Sequence, residues 1–116
     1  MVDESGKYVD SFEKYIVVPK NNDGIIECKT GDYRNNVEFF DISQDEFKGL
    51  YESKVADQLN SIDGVMFDEY ESDFIPFEKL GDCLRVFRES EKYRNCEFAK
   101  AIKAGLNYGF GIYTEF

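Results

Sequence analysis

Carboxylates are the side chains in this sequence with the density to do chemistry. Residues 37–84 hold 13 acids and 3 bases, a net −10, while residues 1–36 carry −2 and residues 85–116 carry +2. The whole formal charge of −10 therefore resides in the middle block. No Lys or Arg occurs between positions 55 and 78, where Asp57, Asp63, Asp68, Glu69, Glu71, Asp73 and Glu78 are interleaved with Val65, Met66, Phe67, Tyr70, Phe74, Ile75 and Phe77. Carboxylates at this density support three kinds of chemistry. A facing pair in unlike environments can divide the acid and base roles of glycoside hydrolysis. Acids at alternate positions of a loop can hold Ca²⁺, but an EF-hand loop needs Gly at its sixth position, and the run from Asp68 has Asp73 there. A one-signed surface studded with aromatic residues can receive a cationic protein.

The third use fits best. The chain has no histidine, which removes the commonest base near neutral pH and excludes Ser-His-Asp and Cys-His nucleophiles. Cys28, Cys83 and Cys96 lack CxxC spacing and read as reduced, mostly buried thiols, so no metal and no cofactor is expected. Gly109-Phe110-Gly111 has no helix after it to hold a phosphate, and reads as close backbone packing or a bulge. A carboxylate-based hydrolase is the weakest reading, and the chain is taken as a binding protein, not an enzyme. The expected contact residues are Asp63, Phe67, Asp68, Glu69, Tyr70, Glu71, Asp73 and Glu78. The acids would attract the partner, and Phe67 and Tyr70 would act as apolar anchors; the competing reading is a short edge strand whose Met66 and Phe67 pack inward.

The elements that must position these residues follow from periodicity. Residues 14–19 (KYIVVP) read as a strand, Asn21-Asn22-Asp23-Gly24 as a turn, residues 25–29 as a return strand and residues 37–42 (VEFFDI) as a third strand. Ser43 followed by Glu46 has the spacing of a capping box. Phe47, Leu50, Tyr51, Val55, Leu59 and Ile62 then make one apolar stripe over about four turns, ended by Asp63-Gly64. Residues 65–70 read equally as a short edge strand or a loop. Pro76 suits the first turn of a second helix, with Phe77, Leu80, Cys83, Leu84 and Phe87 facing inward. A third helix runs from residue 95 or 96 to Ala104 with Gly105 as its cap. The chain closes on a strand whose Phe110, Ile112, Thr114 and Phe116 share a face.

The expected fold is therefore α+β: an N-terminal antiparallel strand meander, three helices and a C-terminal strand joining the sheet. At 116 residues, residues 1–116 form a single domain, with residues 1–12 loosely ordered. With 42% hydrophobic and 16% aromatic residues, the chain is too apolar for disorder. The start lacks an apolar signal-peptide core and no run approaches the length that spans a membrane, so a cytoplasmic location is expected. A pI near 4.4 argues against direct contact with nucleic acid or an anionic membrane.

Small size, acidity, the helix start at Asp41, Ile42, Ser43, Glu46 and Phe47, and the tail of residues 101–116 (AIKAGLNYGFGIYTEF) resemble the immunity proteins that bacteria pair with polymorphic toxins, including those of contact-dependent growth inhibition. The resemblance implies a basic toxin domain as partner, often a nuclease, covered by acids that imitate nucleic-acid phosphates. It also implies one copy of this chain in a heterodimer, and it assigns no particular residue. An acidic nucleic-acid mimic or adaptor of phage or plasmid origin, occupying a host DNA-binding protein, is the alternative with the same composition.

Overall fold

Six residues rich in β-branched side chains set the centre of the molecule. Lys14–Pro19 forms strand β1, in which Ile16, Val17 and Val18 are all fully buried. The structure is a computed structural model and describes residues 14–65, 67 and 72–116. Strand β2 (Val37–Ile42) pairs with one side of β1, and β4 (Ile112–Glu115) with the other. Strand β3 (Ser72–Ile75) pairs with β4 at the edge. All three pairings are antiparallel, giving the order β2-β1-β4-β3. The register puts Val17 opposite Phe39 and Tyr113, and Tyr113 opposite Phe74, so these four side chains form one row across the sheet.

The expected C-terminal strand thus joins the sheet, but the meander is corrected. Residues 25–29 are not a return strand: helix α1 (Asn22–Thr30) connects β1 to β2. The Asn21-Asn22-Asp23-Gly24 run is a helix start in place of a hairpin turn. The Asn21 side chain accepts a hydrogen bond from the Gly24 N–H at 2.9 Å, an N-cap that a turn of the same composition does not announce. Gly24 is packed so that a Cβ would meet the Asn36 carbonyl oxygen.

Three expected helices become five among the described residues. The capping box forms, with Ser43 Oγ accepting from the Glu46 N–H at 3.1 Å. The long helix after it is broken into α2 (Gln44–Tyr51) and α3 (Lys54–Asn60). Ser53 supplies the physical reason. Its hydroxyl donates to the Leu50 carbonyl at 2.8 Å and accepts from the Val55 N–H at 3.1 Å, a local alternative to the helical ladder. Helix α4 (Phe77–Arg88) follows β3 directly, with Pro76 as its N-cap. Its buried face is Leu80, Cys83, Leu84 and Phe87, whereas Phe77, expected inside, is 42% exposed. Helix α5 (Glu97–Tyr108) runs past Gly105 and is capped by Gly109, whose φ of 86° lies in the left-handed region. Gly105 lies inside the helix because Ile112 and Leu80 come within 2.7 and 2.8 Å of where a Cβ would be.

Helices α2 to α5 share one hydrophobic core with the inner face of the sheet, where Ile16, Val18, Ile42, Ile112 and Phe116 are buried. Helix α1 packs on β1 and β2. Phe67, from the segment between α3 and β3, lies in the core with ring centroids 5.1 Å from Phe47, 5.6 Å from Phe116 and 5.8 Å from Phe98.

Candidate partner-binding surface

The acidic segment leaves α3 through the Asp63-Gly64 turn, where Gly64 takes a φ of 83°. This turn lies against the first turn of α4: a Cβ on Gly64 would sit 3.9 Å from Cε of Lys79. Asp63 and Glu78 are both exposed, and each is the chain neighbour of one partner in this contact between Gly64 and Lys79. Glu78 lies in the first turn of α4, where a negative charge is favoured by the helix dipole. Asp73 is half-buried on β3, its backbone carbonyl accepting from Thr114 Oγ1 at 3.3 Å. Strand alternation puts Asp73 on the face of buried Ile75 and sends Phe74 to the opposite face. Asp68, Glu69, Tyr70 and Glu71 lie outside the described residues.

Phe67 is a correction. It was expected as a partner-facing anchor, but it is 1% exposed and surrounded by Phe47, Phe98 and Phe116. The physical cause includes a residue that periodicity did not single out. The Asn60 side chain accepts from the Phe67 N–H at 2.6 Å and donates to the Phe67 carbonyl at 3.1 Å. That two-point amide clamp satisfies both backbone groups of a residue entering the core outside regular structure. The exposed aromatic residues around the acidic segment are instead Phe74 and Phe77, each at 42%, and Tyr51 at 48%.

Three other carboxylates are committed to structure. Glu46, at the start of α2, accepts from the Glu97 and Phe98 N–H groups at 3.0 and 3.2 Å, closing the N-terminus of α5 from 51 residues away. Glu38 accepts from the Tyr108 hydroxyl at 2.8 Å, which with burial and the nearby charge holds the phenol above its ordinary pKa. Glu27 accepts from the Arg34 N–H, the Asn36 N–H and the Asn36 side-chain amide. Burial alone would raise the Glu27 pKa, but these donors and the Arg34 charge together hold it below the ordinary carboxylate value.

The thiols are poor nucleophiles. Burial pushes Cys28 and Cys96 up to about 11 and Cys83 to about 12. Cys96 shows which effect wins. It sits at the N-cap of α5, where backbone N–H groups favour a thiolate, yet burial and the adjacent Glu46 charge dominate.

Ion pairs between described residues join near neighbours in sequence: Arg34 with Asp32 at 2.9 Å, Arg85 with Asp82 at 3.7 Å and Lys100 with Glu97 at 3.0 Å. Arg85 is therefore engaged within α4, with both partners more than half exposed, and is directed at Asp82 instead of at Asp63 or Glu78.

The outer face of the sheet holds a feature that the strand patterns did not single out. Pro19, Ile25, Lys29, Phe74, Gly111 and Tyr113 line a groove of about 400 Å³. Gly111 has the close backbone packing expected of it: a Cβ there would meet the Ile75 carbonyl oxygen and the Phe74 ring. No helix of the described residues is long and apolar enough to cross a membrane. Compared with known protein families, curated proteins and solved structures, the chain matches none of them.

Proposed function

We propose that this chain is a binding protein that inhibits a cationic partner, an immunity protein covering a basic toxin domain, with a nuclease as the leading candidate. The contact surface is the acidic segment from Asp63 to Glu78. The observation that carries the reading is the exposure of Asp63 and Glu78, which flank a run of acids with no base among them. The intervening sequence contributes Asp68, Glu69, Glu71 and Asp73, and the one base packed against the turn after Asp63 in the described structure is Lys79, just beyond Glu78. Such a field speeds encounter with a basic groove over a Debye length of about 8 Å at physiological salt. Apolar contact slows release, and the exposed Phe77 beside Glu78 takes the anchoring part first assigned to Phe67, together with Tyr70. The protein acts in the cytoplasm as one copy per toxin, by binding and not by catalysis.

The test is the association rate with the cognate toxin, measured across a salt series. Neutralising Asp63, Asp68, Glu69, Glu71, Asp73 and Glu78 to Asn or Gln lowers that rate by about ten- to a hundredfold at low salt and flattens its salt dependence. An unchanged rate and salt slope would refute the assignment of this segment.

A further inference from the structure

We propose that the groove on the outer face of the sheet binds a small apolar monocarboxylate, with the carboxylate on Lys29 Nζ and the hydrocarbon against Ile25, Phe74 and Tyr113. The site follows from what α1 leaves uncovered. It packs on β1 and β2, while Phe74 of β3 and Tyr113 of β4, with ring centroids 4.7 Å apart, stand beside it as a second wall. Phe74 keeps 42% of its surface exposed, and its ring lies so close over Gly111 that a Cβ there would come within 2.6 Å of it. Between the walls is a volume of about 400 Å³, inside the range of roughly 300–1,000 Å³ that small ligands occupy.

The lining selects the chemistry. Five of its six residues present hydrocarbon, an aromatic ring or backbone, and the single formal charge among them is Lys29. Lys29 takes part in none of the ion pairs between described residues, so its ammonium is available to a ligand. A mostly apolar cavity with one cation at its side favours an amphipathic anion over a neutral or cationic ligand of the same length. The protein's net charge of −10 opposes anions at long range. Hydrocarbon contact must therefore supply most of the affinity, and Lys29 the choice of headgroup. Glu115, on the same strand face two residues beyond Tyr113, is outside the lining, but it makes a cationic ligand the necessary control.

The experiment is a ¹⁵N-resolved NMR titration of the intact chain with octanoate, octanol and octylammonium, each below its micelle concentration. The expected result is that octanoate shifts the amides of Ile25, Lys29, Gly111 and Tyr113, and binds about fivefold more tightly than octanol, the worth of one partly exposed charge pair. Lys29→Gln brings octanoate down to the affinity of octanol and leaves octanol unchanged. Phe74→Ala weakens both by about tenfold. Lys29 is exposed, so its variant decides the matter even if loss of Phe74 disturbs the sheet edge. Equal binding of octanol or octylammonium, shifts centred on other residues, no binding, or a Lys29→Gln variant that binds octanoate as before overturns the proposal.

Discussion

Glu27 shows how one side chain gives an acidic protein a specific sensitivity to acid. Glu27 is 6% exposed, and its carboxylate holds the loop between α1 and β2 by accepting from both Arg34 and Asn36. Burial opposes the charged form, but the donors win and the folded-state pKa lies below the ordinary value of 4.5. A carboxylate with a depressed folded pKa stabilises the native state fully above its unfolded pKa, and that contribution is lost as pH falls through the folded value. Urea unfolding of the native chain is therefore expected to lose stability as pH drops below about 4.5. Glu27→Gln removes this titration: the variant is less stable at pH 7 and has a shallower decline between pH 5 and pH 3. Parallel profiles for the two proteins would show that the loop donors do not act through this carboxylate.

At the scale of elements, two glycines within helices are expected to respond with opposite signs. Gly81, in α4, is exposed and has nothing within 4 Å of a Cβ, so Gly81→Ala gains helix propensity and raises stability by about 0.5–1 kcal/mol. Gly105, in α5, would drive a methyl group into Ile112 and Leu80, and Gly105→Ala costs about 1–3 kcal/mol through overpacking. Denaturant midpoints of both variants measure this, and a destabilised Gly81→Ala or a stabilised Gly105→Ala would contradict the packing. The same contrast shows why elements differed in legibility. Strands β1 and β2 and the Ser43 cap were readable because each is written in a local pattern of alternation or capping. The α+β class and the joining C-terminal strand followed from those patterns. Gly105 read as a cap because a glycine needed for contact between elements looks the same in sequence as one needed for positive φ. Asn21 read as part of a hairpin turn because Asn serves both turn and N-cap, and only the hydrogen bond to the Gly24 N–H decides between them. Phe67 reads either as a partner contact, from its charged neighbours, or as an inward-packed edge residue, and what decides for burial, the Asn60 clamp, comes from another element. The groove was illegible because α1, one of its walls, was read as a strand.

At the scale of the whole molecule, the charge distribution works against the fold that carries it. Twenty-four acids face 14 bases, and the excess is concentrated in residues 37–84. Helices α4 and α5 carry Lys79, Arg85, Arg88, Lys100 and Lys103, but Arg85 and Lys100 pair with acids of their own helices, Asp82 and Glu97. Exposed pairs of this kind contribute about 0–1 kcal/mol each and offset little of the self-repulsion. A surface retained for a cationic partner therefore costs stability when the partner is absent, and mobile ions should restore part of it. Raising NaCl from about 10 mM to about 300 mM shortens the Debye length from about 30 Å to under 8 Å. The melting temperature at pH 7 is expected to rise by about 2–6 °C, corresponding to about 1 kcal/mol for a chain of this length. Asp63→Asn raises the low-salt melting temperature and reduces the salt response, because it removes an exposed charge from the acidic block, whereas Glu78→Gln gains less because it also gives up a favourable charge in the first turn of α4. A melting temperature that is flat or falls with salt would mean that the acids are already balanced within the native chain, and the electrostatic basis for a cationic partner would go with it.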